Sequence, residues 1–197
     1  MSQKAIFTIF TYVICLIWFL CFKKGGIVGK VAHIQFVLLK KLKFNVPKLY
    51  DHDHQLDSFF KNNLQKFDYF NINVTDENYK KVTHKLVSGK TYTVKFFAVT
   101  QPTKLSECLN FLKSQNALLA GAQGVTLFWK HGKRYFPTGY TVSLDEIKSL
   151  WYDESDKLYK AVGIHCAPGT RWGLQLFFSE YNLKNCCLIC FSEESDL

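Results

Sequence analysis

One uncharged apolar run dominates the hydropathy pattern of this chain. It covers residues 5–22 and is bounded by lysines on both sides. As a helix it would span roughly 27 Å, which is close to the thickness of the hydrocarbon core of a bilayer. The run is longer than the core of a signal peptide and has no small residues before a cleavage position, so we predict a transmembrane anchor over residues 1–24. A cleaved signal peptide is the alternative.

The next segment, residues 25–50, predicts a basic amphipathic helix that lies on the membrane surface beside the anchor. Apolar residues recur at helical spacing from Ile27 to Leu42, and lysines lie off this stripe. Each lysine near an anionic membrane can contribute about 1 kcal/mol of attraction. A strand or helix of the domain over residues 31–39 is the alternative, because apolar positions there also alternate. The lysines assigned to the membrane surface are Lys23, Lys24, Lys30, Lys40, Lys41 and Lys43.

The remaining residues, 51–197, predict a single soluble domain of the α+β class. The strongest strand pattern lies at residues 90–100, where β-branched and aromatic side chains alternate. The strongest helical pattern lies at residues 104–120. Short strands that recur near the end of the chain favour hairpin-like pairing. We therefore expect a mainly antiparallel sheet with two to four helices.

The other predicted elements come from local patterns and turn residues. A helix is expected after Asp51 or Asp53, either of which could cap it, and a second at residues 76–87 behind the cap residue Thr75. Apolar runs on both sides of a His-Gly pair predict a β-hairpin over residues 125–137. An antiparallel meander is predicted for the last three strands, at residues 157–166, 171–178 and 185–191.

The net charge of +9 changes how the basic segment is interpreted. Residues 1–50 hold eight lysines and no acidic residue, whereas residues 51–197 hold 17 basic and 16 acidic residues. A nearly neutral domain lacks the electrostatic footprint of a nucleic-acid-binding protein, so we expect no nucleic acid partner. The lysine excess after the apolar run places the domain in the cytoplasm by the positive-inside rule. The N-glycosylation triplet at Asn73 favours the opposite topology.

Cysteines near the C-terminus provide one candidate metal site. Cys187 and Cys190 form a C-x-x-C pair, and His165 and Cys166 lie upstream of it. Thiolate and imidazole are the ligands of structural zinc, but a zinc ribbon needs a second pair at matched spacing. We therefore predict no cofactor and keep zinc as an alternative, beside a disulfide and buried free thiols.

A second candidate metal site lies at the start of the domain. His52, His54 and Asp57 could supply nitrogen and oxygen ligands to zinc or iron. No second histidine cluster follows that would complete a binuclear site. A helix cap formed by Asp51 or Asp53 explains the same residues more simply.

Covalent catalysis would need a thiol, a base and an orienting carboxylate. Cys166, with His165 or His131 as the base and Asp145 as the orienting group, is the arrangement that the sequence permits. The spacing of these residues is not specific to any enzyme. The chain contains no phosphate-binding glycine loop, no nucleophile elbow and no paired-histidine metalloprotease motif, and its motifs indicate no known family.

These patterns favour a single-pass membrane protein whose α+β domain is a protein-interaction or assembly module at the membrane surface. Its expected partners are membrane lipids and an unidentified protein. The second hypothesis is a membrane-tethered enzyme that uses a cysteine or a Cys/His metal site. The third is a secreted or lumenal domain released by signal cleavage.

Overall fold

Residues 35–167 and 171–194 are described here by a computed structural model of the chain. The chain divides into two units, residues 1–33 and 34–197, and every described residue belongs to the second. The predicted anchor at residues 1–24 therefore lies outside the described residues. Within the described ranges, no helix is long and apolar enough to cross a membrane.

Within the described residues, ten strands form two sheets. Their bounds are β1 Phe36–Asn45, β2 Phe67–Phe70, β3 Thr91–Val99, β4 Thr103–Lys104, β5 Gly139–Ser143, β6 Trp151–Asp153, β7 Leu158–Ala167, β8 Arg171–Phe178, β9 Asn182–Leu183 and β10 Cys186–Glu193. The large sheet has the order β1-β3-β10-β5-β7-β8-β2, with β6 on β7, and β4 pairs with β9 separately. Among the described strands, only the β10–β5 and β8–β2 pairs are parallel.

Three α-helices in the described part of the chain pack against this sheet. Their bounds are α1 Gln55–Asn63, α2 Leu105–Ser114 and α3 Gly121–Gly132. Three further single turns of 3-10 helix in the described residues lie at Leu64–Lys66, Lys133–Tyr135 and Ile147–Ser149. The predicted α+β class, with a mostly antiparallel sheet and two to four helices, is confirmed for these residues.

The two faces of the sheet carry separate hydrophobic cores. Helices α1 and α3 cover one face, where Phe59, Trp129 and Phe191 are buried. Helix α2 covers the other face, where Leu112 and Leu188 are buried. We call these the α1/α3 face and the α2 face. Because successive side chains of a strand point to opposite faces, central strands such as β10 are apolar at nearly every position.

At residues 36–45, the first strand corrects the prediction of an interfacial helix, and residues 25–34 lie outside the described residues. The strand pairs with β3 on both sides of Leu39, so the alternative of a strand over residues 31–39 is confirmed at residues 36–39. Leu39 forms a bulge between Leu38 and Lys40, and the bulge reverses the alternation of side chains. Phe36 therefore stacks on Phe111 at the α2 face, while Phe44 belongs to the α1/α3 core.

The predicted β-hairpin over residues 125–137 is wrong, because most of this stretch forms helix α3. Its β-branched and aromatic residues favour a strand by propensity alone. Every residue of the helix from Gly121 to Trp129 is buried, so no polar stripe reveals the helical period. Gly124 allows close packing, since a Cβ there would lie 2.9 Å from the ring of Phe191.

The predicted helix at residues 76–87 is also wrong. Thr75 does accept the expected hydrogen bond, from the Asn78 N–H at 3.2 Å, but only one turn follows. Further along, His84 exchanges bonds with Leu119, its N–H donating to the Leu119 carbonyl and its ring accepting the Leu119 N–H. Tertiary bonds thus replace the helical ones. The Asp76 carboxylate instead accepts N–H groups at the start of α1.

The predicted C-terminal meander is only partly right. All three strands form, and β7 pairs with β8 as expected. The third strand, β10, does not follow β8 in the sheet but inserts between β3 and β5. This insertion leaves β8 next to the short edge strand β2.

Candidate binding site at the edge of β8

The residues proposed for thiol catalysis do not converge. His165 stacks on Tyr140 on the α2 face, with ring centroids 4.4 Å apart, whereas Cys166 packs against the α1/α3 core. Asp145 follows the far end of β5, whose first residue is the one that pairs with Cys166. Six strand residues span about 20 Å, which is too far for a hydrogen-bonded triad. His131 is exposed at the end of α3, 6.4 Å from the ring of Phe44.

Asp145 has a structural environment of its own. It is buried, and its carboxylate accepts the Thr83 N–H at 3.1 Å and the Glu146 N–H at 2.7 Å. Burial raises the pKa of Asp145 to about 6, against a usual value of 3.8. The carboxylate therefore secures the segment at Thr83 against the end of β5.

The residues of the candidate zinc site lie on different faces of the sheet. Cys187 belongs to the α1/α3 core and Cys190 to the core under α2, because positions three apart in a strand have opposite parity. His165 and Cys166 are divided in the same way. Burial raises the pKa of both Cys187 and Cys190 to about 12, and all five cysteines of the described chain are free thiols. No group of three or more potential metal ligands occurs among the described residues.

The histidines at the start of the domain also have separate partners. His52 Nδ1 lies 2.9 Å from the Tyr50 hydroxyl, and His54 Nδ1 lies 2.8 Å from the Asp51 carboxylate. Asp57 accepts the Asp76 N–H at 3.2 Å. These three bonds organise the entrance to α1, and neither Asp51 nor Asp53 caps the helix with its side chain.

The described lysines of the predicted membrane surface have different environments. Lys40 donates to the Tyr135 carbonyl at 3.3 Å, and Lys43 pairs with Glu194. Lys41 is exposed on β1. Lys23, Lys24 and Lys30 lie outside the described residues.

A feature that the sequence did not reveal is the open edge of strand β8. Strand β2 pairs with β8 only as far as Leu174, whose carbonyl accepts the Asn71 N–H at 3.1 Å. On the opposite side of β8, the Ser179 N–H donates to Tyr159. Bonding directions alternate along a strand, so the N–H and C=O of Leu176 point to the same side as the Leu174 carbonyl. Within the described chain, no strand pairs with β8 on that side beyond Leu174.

A polar cavity of about 400 Å³ opens on one side of this edge. Amide and hydroxyl side chains supply much of its lining, and one carboxylate and one amine supply its charge. The lining residues are Tyr69, Asn71, Asn73, Asp153, Lys160, Gln175, Leu176 and Phe178.

Lys160 is the buried charge of this cavity. Its side chain is only 4% exposed, and its amine pairs with Asp156 and lies 3.4 Å from Asp153. The amine also lies 3.9 Å from the centre of the Phe178 ring. The hydroxyl and N–H of Ser155 hold the pKa of Asp153 at about 2, so its carboxylate is ionised at neutral pH. Two carboxylates thus surround one ammonium group, and the cluster carries a net negative charge.

An apolar cavity of about 260 Å³ also borders this edge and reaches towards the α2 face. Aromatic rings form much of its wall, and the rings of Tyr140 and Phe177 meet edge to face at 5.5 Å. Its lining residues are Tyr140, Gln175, Leu176, Phe177, Phe178, Tyr181, Leu183, Lys184 and Cys186. Gln175, Leu176 and Phe178 line both cavities, so the two lie beside the same open edge.

Comparison with known proteins gives no relative, since no protein-family model, curated protein or solved structure matches this chain. Two signals in the sequence could have indicated the site. Lys160 is two and four residues from Val162 and Ile164 in strand β7, so its side chain points to the same face as these two buried residues. A charged residue on such an apolar face is unusual. The second signal is the uncharged run from Trp172 to Phe178.

Proposed function

We propose that this domain is a protein-interaction module that binds an extended segment of another protein at the edge of β8. The observation that carries the proposal is the open edge from Gln175 to Phe178, which lies between two cavities. In strand addition, main-chain hydrogen bonds give affinity, and alternate side chains enter pockets on either side to give specificity. The polar and aromatic cavities provide two different pockets of this kind.

The other long edge of the sheet, β1, is less suited to this role. It contains a bulge at Leu39 and three lysines beyond the bulge, Lys40, Lys41 and Lys43. Bulges and lysines are the devices by which proteins prevent pairing at an exposed edge. Residues Trp172–Phe178 of β8 include no charged side chain, and their pairing with β7 contains no bulge. The contrast between the two edges favours β8 as the binding edge.

Substituting Leu176 by proline tests the main-chain part of the proposal. Because the Leu176 N–H points away from β7, proline removes a donor from the open edge without removing a bond between β7 and β8. We expect L176P to weaken peptide binding at least tenfold, since about 1–1.5 kcal/mol is lost with one bond and proline also crowds the edge. The measurement is affinity of the purified full chain for peptides selected from a random nonapeptide library.

The matched control is L176A, which shortens the same side chain but keeps the N–H group. Affinity close to that of the unsubstituted protein is expected for L176A. Equal affinity of L176P and the unsubstituted protein, both folded by circular dichroism, would contradict strand addition at β8. A library that yields no binding peptide would have the same consequence.

We further propose that residues 1–24 anchor the module in a membrane and that the domain faces the cytoplasm. The uncharged run and the lysines that follow it support this topology. Digestion of sealed membranes is expected to remove a C-terminal tag when the protease is on the cytoplasmic side. Asn73 is exposed and could accept a glycan in a lumenal domain. A protected tag together with a mass increase that N73Q abolishes would therefore reverse the topology.

A further inference from the structure

The polar cavity beside β8 has the chemistry of a pocket for a cationic side chain. The Asp153 carboxylate, the Lys160 amine and several amides line the cavity, and the Asp156 carboxylate pairs with the same amine. Asp153 and Asp156 both approach the Lys160 amine, which accounts for one of their two negative charges. The other charge is not balanced by a cation among the residues that line the cavity.

The geometry points to arginine: we propose that the polar cavity binds an arginine side chain of the extended partner segment. This inference rests on the proposed strand addition at β8 and adds the identity of one side chain to it. A guanidinium group is planar and has five N–H donors, so it can bond a carboxylate and several amide oxygens at once. A lysine side chain brings three donors at a single point and cannot match a spread set of acceptors as well.

The acceptors of the cavity are available to such a group. The Asp153 carboxylate takes the Ser155 N–H and hydroxyl on one oxygen, Oδ1. Its other oxygen, Oδ2, lies 3.4 Å from the Lys160 amine, which is longer than a strong charge-assisted hydrogen bond. Asn73 is exposed on the rim, and Gln175 lies on the strand itself. A guanidinium group at this point would complete the charge balance of the cluster.

The buried amine of Lys160 sets the geometry of the carboxylates. Its side chain is 4% exposed, so it is not itself a free anchor for an anionic ligand. The ring of Phe178 covers it at 3.9 Å and separates it from solvent. An acidic side chain in the cavity would lie beside the Asp153 carboxylate of its lining, which is why an anionic partner is disfavoured.

A single-residue probe tests this pocket without the contribution of strand pairing. The probe is N-acetyl-arginine methylamide, and its neutral isostere, N-acetyl-citrulline methylamide, is the ligand control. Binding to the full chain in detergent is followed by NMR at the side-chain amides of Asn71, Asn73 and Gln175. We expect a dissociation constant of about 1 mM for the arginine probe. Charge-assisted bonds should make citrulline at least about tenfold weaker.

Two variants assign the effect to the cluster. D153N is expected to weaken the arginine probe about tenfold, while E180Q, which removes an equal charge from an exposed residue nearby, changes affinity less than about twofold. N73D adds a carboxylate at an exposed position on the rim of the cavity. Because this position is not part of the core, the variant leaves the β6–β7 turn that holds Asp153 intact. It should strengthen arginine binding severalfold and leave citrulline binding unchanged.

The results separate this inference from the proposed function. Equal binding of arginine and citrulline, no binding of either probe, or equal effects of D153N and E180Q would overturn the arginine pocket. So would selected peptides that bind at the β8 edge without a conserved basic position, and in that case strand addition would stand. An arginine probe that binds while no extended peptide does would leave the pocket and remove the proposed function.

Discussion

Replacing Trp129 by alanine is expected to lower the free energy of unfolding of the domain by about 4 kcal/mol. Trp129 is 1% exposed on α3 and lies at the centre of the α1/α3 core. Its ring meets Phe59 at 5.3 Å and Trp172 at 5.5 Å, both edge to face. Truncation would leave a large cavity between α1, α3 and the sheet. Because whole domains are stable by only about 5–15 kcal/mol, W129A should be close to unfolding.

The phenylalanine variant is expected to lose much less, about 1–2 kcal/mol. The Trp129 Nε1–H is buried without a hydrogen-bond partner among the described residues. An unsatisfied buried donor costs about 1–3 kcal/mol, and W129F removes this cost while it keeps most of the aromatic volume. Urea unfolding of the full chain, followed by circular dichroism, measures both variants.

The control for this pair of variants is K133A. The Lys133 amine lies 5.7 Å from the centre of the Trp129 ring, at the exposed end of the helix. An exposed cation–π contact contributes only about 0.5–1 kcal/mol, so K133A should change stability by no more than that. Equal losses in W129A and W129F would show that volume is not what Trp129 contributes.

Local patterns were sufficient for much of the sheet. The strand at 90–100 and the strands β7, β8 and β10 were predicted because their side chains alternate or are β-branched. Their order in the sheet could not be predicted in this way. The placement of β10 between β3 and β5 depends on contacts between distant residues, such as the pairing of Leu188 with Phe97 and Val142.

Helices were predicted well where one side faces solvent and poorly where burial is complete. Helix α2 has the expected stripe of Leu105, Cys108 and Leu112, but it ends at Ser114. Helix α3 is buried on almost all sides, and its apolar run gave the wrong period. Gly121, which directly follows the helical pattern predicted at residues 104–120, begins α3, with φ of +48° beside the Asp145 carboxylate.

Sequence motifs could not predict the candidate binding site, for a different reason. It is formed by a strand edge, and an edge exists only through the topology that leaves β8 beside the four-residue strand β2. The sites predicted from motifs were based on residue types alone. They did not take into account which face of a strand each residue occupies. The alternation rule alone separates Cys187 from Cys190 once both are assigned to one strand. That test was available from the sequence.

Substituting Asp145 by asparagine is expected to remove a pH-dependent loss of stability. Burial raises the folded-state pKa of Asp145 to about 6, whereas the ordinary value is 3.8. Between these values the folded protein holds a proton that the unfolded chain has released, so stability falls as pH rises. The stability from this proton is fully present below about pH 4 and is lost as pH passes through 6. The loss should be on the order of 3 kcal/mol by pH 7.

The measurement is urea unfolding at pH 4, 5, 6 and 7 for the unsubstituted chain and for D145N. Other titrating groups cancel in the difference between the two proteins. The free energy of unfolding of the unsubstituted chain minus that of D145N should decrease from pH 4 to pH 7 and then remain constant. Asparagine keeps an oxygen that can accept the Thr83 and Glu146 N–H groups, but it takes no charge.

The control is D153N, because that carboxylate has the opposite shift. Its pKa is held at about 2, so the stability it contributes is present above about pH 4 and is lost only as pH falls towards 2. The corresponding difference for D153N should therefore be flat between pH 5 and pH 7. A difference for D145N that is equally flat, or that rises with pH, would mean that Asp145 is ionised throughout this range and that its burial is compensated by the bonds it accepts.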